Sequence, residues 1–229
     1  MRLAAAASLV TCLAVAAAAN PTGDGALLSA KNVGLAALEE GNLPEAAKRF
    51  ETVRRLAPAE PLGWADGAVA ALRAKNFPEA KTLAAEALKR SPRDARVLAI
   101  DAARAEAAGE TAAAVSAYER AAAASPKDLA SRWSAARLLL AASPPDRDRA
   151  RRHLEAALAE APGNQFLLFR LLEVERSTGD RTRALATFER VARSVETREA
   201  RIDRALAEAK AALEGSDTAA ADVKVRILE

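Results

Sequence analysis

Cysteine and histidine are almost missing from this chain, which carries one of each, Cys12 and His153, in 229 residues. A single cysteine allows no intrachain disulfide and no paired-thiol redox centre, and one histidine beside it excludes zinc clusters and relays built from several such side chains. Aromatics are held to 3%, and glycine and proline to ten each. An excess of one charge is lacking too. The 34 basic and 31 acidic residues are interspersed to a net +3, the balance of a solvated surface, and nucleic acid is not expected as a partner. What abounds is alanine, 63 residues, the strongest helix former and a side chain that lets helices pack closely. With 51% hydrophobic residues, composition predicts an all-α fold with a real core.

The N-terminus reads as an export signal. Arg2 supplies a positive start, Leu3 to Ala18 is a run without charge, and Ala17-Ala18-Ala19 precedes Asn20-Pro21, which predicts cleavage between Ala19 and Asn20. The run falls short of the roughly 20 strongly apolar residues that a stable membrane span needs. Leu9-Val10-Thr11-Cys12 is similar to a lipoprotein box, but Thr11 stands where a smaller residue is usual and the apolar run continues past Cys12. The expectation is that Cys12 leaves with the signal and that a thiol-free mature chain is periplasmic or extracellular. An uncleaved anchor or lipidation at Cys12 are the alternatives. The preference for Arg and Ala suggests a GC-rich bacterial gene.

The mature part repeats itself. Pro58, Pro92 and Pro126 are 34 apart, and Pro162 follows after 36. Phe50, Ala84, Tyr118, Leu154 and Phe188 run in step, as do Ala46, Ala80, Ala114, Ala150 and Ala184, each four residues earlier. Gly41, Gly109 and Gly179 form a further series, with Lys75-Asn76 at the missing place. The two extra residues fall at Ser143-Pro144-Pro145, a turn, where an insertion costs least. Within each period the apolar spacing predicts two helices, separated by a left-handed turn residue and closed before proline. The units are 27–60, 61–94, 95–128, 129–164 and 165–196, after a linker over 20–26. No unit can bury its own apolar face, so several must stack. Residues 197–214, with Ile202, Leu206, Ala209 and Leu213 on one stripe, predict a capping helix. The remainder, 215–229, is either a short final element or the start of something larger.

These motifs resemble the tetratricopeptide repeat. Ala46-x-x-x-Phe50 with Pro58, Ala114-x-x-x-Tyr118 with Pro126, Ala184-x-x-x-Phe188, and Trp64 near the start of its unit carry the likeness. Departures are Glu196 in place of the last proline, Ala84 and Leu154 in place of the aromatic, and a first-helix glycine kept only as Gly34. The resemblance covers about residues 27–196 and implies an α-solenoid whose first helices line a concave groove for an extended peptide or a partner helix. The carboxylate-clamp variety is not supported, since Lys31 is followed four residues on by Leu35 rather than Asn.

Nothing in the sequence asks for catalysis or a cofactor. His153 sits mid-helix without a relay partner and is expected at the surface, and there is no phosphate loop or metal-ligand cluster. The informative surface is the expected groove, to which helical spacing assigns Lys31, Leu38, Leu62, Arg73, Arg96, Trp133, Arg137, Phe166, Phe169 and Arg176. Trp133, Phe166 and Phe169 are surplus to the repeat pattern. Aromatics and arginines dominate binding hot spots, so the C-terminal half of the groove is predicted to take an apolar segment carrying a carboxylate, unless the two phenylalanines merely pack on unit four or the cap. The functional expectation is a monomeric, non-enzymatic interaction scaffold of the bacterial envelope. The alternative is a repeat module heading a larger exported protein whose activity lies in a further domain.

Overall fold

The computed structural model describes residues 21–195 and 200–215, and among them every regular element is a helix. Five helical pairs follow one another. They are α1 (Pro21–Glu39) with α2 (Leu43–Leu56), α3 (Leu62–Arg73) with α4 (Phe77–Arg90), α5 (Ala95–Ala107) with α6 (Thr111–Ala124), α7 (Leu129–Ala141) with α8 (Arg147–Glu160), and α9 (Gln165–Ser177) with α10 (Arg181–Ser194). The final helix is α11 (Ala200–Glu214), which packs on α10. Each helix touches its predecessor and its successor, and first helices also touch across units, as α1 does α3 and α3 does α5. This is a stacked α-solenoid. Each predicted unit from 61–94 onward holds one of these pairs, and the predicted capping helix ends with α11 at Glu214. The linker expected over 20–26 is instead part of α1 from Pro21, because proline is tolerated in a helix's first turn and Gly23 and Gly25 cost helix stability without forbidding it. The predicted signal, the junction 196–199 and the tail from 216 lie outside the described residues.

The repeated residues do the packing. Ala46, Ala80, Ala114, Ala150 and Ala184 are all buried at the helix crossings, and Phe50, Leu154 and Phe188 are fully enclosed four residues on. Burying one such side chain contributes about 2–3 kcal/mol before the entropy of ordering it. In α11, Leu206, Ala209 and Leu213 close the last unit against Phe188 and Leu172. The turns obey the same period. Gly41, Gly109 and Gly179 have φ of +77°, +73° and +75°, and Lys75, at the place without glycine, follows them to +58°.

A further series completes the local account. The side chains of Asn42, Asn76, Asp94, Asp128, Asp146, Asn164 and Asp180 each accept a hydrogen bond from the backbone N–H three residues on, satisfying an otherwise orphaned donor at a helix start. Glu110 stands at one such place without capping its helix and is drawn instead to Arg104 and Lys81.

Candidate functional site

The first helices α1, α3, α5, α7 and α9 present the residues that the sequence assigns to the groove. Toward its N-terminal end, Arg73 of α3 donates to the Leu38 carbonyl of α1 at 2.5 Å, so this arginine ties two units together. Leu38 and Leu62 are partly buried, Leu38 against the cluster around Phe50. Arg96 of α5 reaches back to Asp66 of α3. Asp66 is buried, with its Oδ2 unpartnered among the described residues, and burial pushes its carboxyl up while Arg96 and Lys31 pull it back down. Lys31, Asp66 and Arg96 thus make one charge cluster across three successive first helices.

The C-terminal end is aromatic. The rings of Trp133 on α7 and Phe166 on α9 meet edge to face, with centroids 4.9 Å apart and planes at 82°. The Arg170 guanidinium lies 5.3 Å from the Phe166 ring centre and 5.9 Å from that of Trp133, within reach of a cation–π attraction to both. Arg170 is also held by Glu173 at 2.9 Å, while its Nε is buried without a partner among the described residues. Phe166 keeps 47% of its surface exposed. Phe169 is less available, since it and Trp133 are partly buried against the main core. Phe166 therefore packs on Trp133 of unit four and Phe169 on a core shared by units three to five, so the surplus aromatics are both core and surface. Sequence reading missed Arg170, although its place four residues after Phe166 puts both on one face of α9.

Arg137 is already engaged within the chain. It pairs with Glu106 of α5, which also accepts a hydrogen bond from the Tyr118 hydroxyl at 3.1 Å. Burial and the Glu106 charge push the Tyr118 phenol up to about 12. Arg176 is partly buried on α9. Units four and five thus carry an aromatic platform beside Arg170 and Arg137, two arginines already held by Glu173 and Glu106.

His153 is not the surface residue expected. Its side chain is only 15% exposed and its Nε2 lies 3.1 Å from Glu119, which also takes a hydrogen bond from Arg149 at 2.8 Å. Burial opposes the charge on Glu119, but the hydrogen bonds from Arg149 and His153 outweigh it and hold this carboxyl below its usual range. The trio clamps α8 to α6. Among the described residues no group of three or more His, Cys, Asp or Glu side chains is placed to hold a metal ion, and no described helix is long and apolar enough to cross a membrane.

No protein-family model matches the chain, and no curated protein matches it in sequence. Solved structures do match. PilF of Pseudomonas aeruginosa is 17% identical over 89% of this chain and 90% of its own, with a TM-score of 0.66. MamA of Desulfovibrio magneticus RS-1 is 16% identical over 75% and 98%, with a TM-score of 0.60. YrrB, described as a tetratricopeptide-repeat protein with an unusual peptide-binding site, is 14% identical over 72% and 84%, with a TM-score of 0.56. The chain shares the fold of these proteins.

Proposed function

We propose that this tetratricopeptide-repeat solenoid is a non-enzymatic interaction scaffold of the bacterial envelope, which holds a peptide or a partner helix on the face of its first helices. The observation that carries the reading is the exposed platform of Phe166 against Trp133, flanked by Arg170. A ring half open to solvent and fixed by its neighbours presents apolar area at little cost in entropy, which is what a binding hot spot requires. The likeness to YrrB supports a peptide as the occupant, and the charge-free run from Leu3 to Ala18 supports export. The arginine rim favours an apolar segment that carries an acidic group.

The test is a crosslinking pull-down from envelope and secreted fractions, with the native protein beside a Trp133→Ala, Phe166→Ala, Arg170→Ala variant whose melting is followed by circular dichroism. A partner held by the native protein and lost from the folded variant is the expected result. Equal capture by both would overturn the groove reading. N-terminal sequencing of the protein from these fractions and from the cytoplasm tests the export half, and a protein confined to the cytoplasm with its first nineteen residues intact would overturn that.

A further inference from the structure

The boundary between units one and two is built unlike the later ones. Its floor is the stripe of α3 bearing Gly67, Ala70 and Ala71, none larger than a methyl group. One period on, the places of Gly67 and Ala70 hold Asp101 and Arg104 in a buried ion-pair network. One more period on, Leu138 and Leu139 occupy the places of Ala70 and Ala71, both buried. Between units one and two no α3 side chain of that size fills the place; Arg54 and Leu83 approach Gly67 from α2 and α4, and a cavity of about 360 Å³ remains between those helices, walled by Ala47, Leu83 and the first-turn residues of α2.

One cation lines this apolar slot. Arg54 of α2 lies across Gly67 so closely that a Cβ there would come within 2.5 Å of its Nη1, which donates to the Gly63 carbonyl at 3.3 Å. Its guanidinium also lies 5.5 Å from the Trp64 ring centre, within cation–π reach, but no described carboxylate is in ion-pairing contact with it; Glu51 and Glu79 act on its charge from farther off, and burial pushes it below the usual arginine range. The neighbouring boundary shows what is missing. There Arg104 has Asp101 at 3.1 Å and Glu110 at 2.5 Å, and Asp101 stands one period after Gly67. A guanidinium drawn partly out of water gains most from a carboxylate in bidentate contact.

We propose that the slot between α2 and α4 binds a medium-chain aliphatic carboxylate, its carboxylate on Arg54 and its hydrocarbon chain along the alanines of α3 beneath Leu83. The site lies on the face of the second helices, apart from the groove. Its volume is at the small end of the roughly 300–1,000 Å³ of ligand cavities, room for one chain of about eight to ten carbons. At the far end Asn76 donates to Glu79 at 2.7 Å, and the Glu79 charge there disfavours a diacid.

Titration of the ¹⁵N-labelled full chain with decanoate and decanol tests this, beside Arg54→Met and Ala47→Leu. Ala47 is exposed on α2, so the larger side chain fills the slot without entering the core. The expected result is saturable shifts at Ala47, Gly67, Ala70 and Leu83 with decanoate, about tenfold weaker binding of decanol, decanoate reduced to the decanol level by Arg54→Met, and loss of both ligands in Ala47→Leu. Equal affinity for acid and alcohol, an unchanged Arg54→Met variant, or shifts elsewhere would overturn the proposal. So would saturation by a peptide ending in a leucine carboxylate without saturation by decanoate, which would assign the slot to a partner's C-terminus.

Discussion

Gly34 on α1 faces Phe50 on α2 so closely that a Cβ at the glycine would stand 2.8 Å from the ring. The aromatic of the repeat is seated because the preceding helix offers no side chain there. Glycine inside a helix ordinarily costs up to about 1 kcal/mol against alanine, so Gly34→Ala tests which effect wins. Overpacking should prevail, with a loss of about 1–3 kcal/mol in urea unfolding. Phe50→Leu combined with Gly34→Ala should lose less than the sum of the two changes, because the smaller side chain removes the clash. An alanine that stabilises the wild-type background would show that Phe50 can move aside freely.

Lys75 adopts the left-handed conformation that glycine takes at the same place in units one, three and five. An L side chain with φ near +58° is strained by roughly 1 kcal/mol. Lys75→Gly should therefore raise the stability by up to about 1 kcal/mol, and Gly109→Lys should lower it by a similar amount. Chemical denaturation of the two variants checks the pair, and a destabilised Lys75→Gly would mean that the unfolded chain's gain in freedom outweighs the relieved strain.

The architecture was legible because a solenoid writes one packing rule several times. The recurrence of Ala46 and Phe50 through Ala184 and Phe188 reported both the period and the buried stripe, and the doubled proline at Pro144-Pro145 located the longer turn. The candidate surface was legible only as a list. Helical phase puts Trp133 and Arg137 on one face, yet whether Arg137 is free or bound to Glu106 depends on the rise between units, which no spacing along one helix contains. His153 was misjudged for the same reason, since its partner Glu119 is 34 residues away on a neighbouring second helix. The caps could have been found, as Asn42 and Asn76 sit just before the proline-bearing first turns of their helices, a known start signal.

Tyr118 is the chain's only tyrosine, so its ionisation can be followed by the phenolate absorbance without ambiguity. Burial and Glu106 raise its folded pKa from 10 to about 12. A group with a raised folded pKa stabilises the protein below the unfolded value and loses that contribution as pH climbs toward the folded one. The native titration should have its midpoint near 12, the denatured one near 10, and Glu106→Gln should shift the native midpoint down while leaving much of the burial effect. A native midpoint equal to the denatured one would show that the hydroxyl is not held by the α5–α7 boundary.

Glu175 lies on α9 where the preceding units have Leu139 and Ala105, and it is 3% exposed with its Oε2 unpartnered among the described residues. Burial raises its pKa above 4.5, Thr187 offsets part of this through a hydrogen bond, Glu155 and Asp180 add to the rise, and Arg151 opposes it. The folded state therefore holds this proton more tightly than the unfolded state does, and stability declines as pH rises from about 4.5 through the folded pKa. Glu175→Gln keeps the shape and removes the charge, so it should match the wild type in acid and exceed it at neutral pH by about 1–2 kcal/mol, the usual penalty of an unsatisfied buried polar group. Glu86→Gln is the opposing control. Hydrogen bonds from Arg90 and Lys89 lower the Glu86 pKa, so its contribution is present above the unfolded value and fades as pH falls, and the variant should be the weaker one at neutral pH. Urea midpoints measured across the acid to neutral range distinguish the two slopes. A Glu175→Gln curve parallel to the wild type at every pH would mean that the carboxylate reaches water through the α9–α10 boundary and carries its charge there without cost.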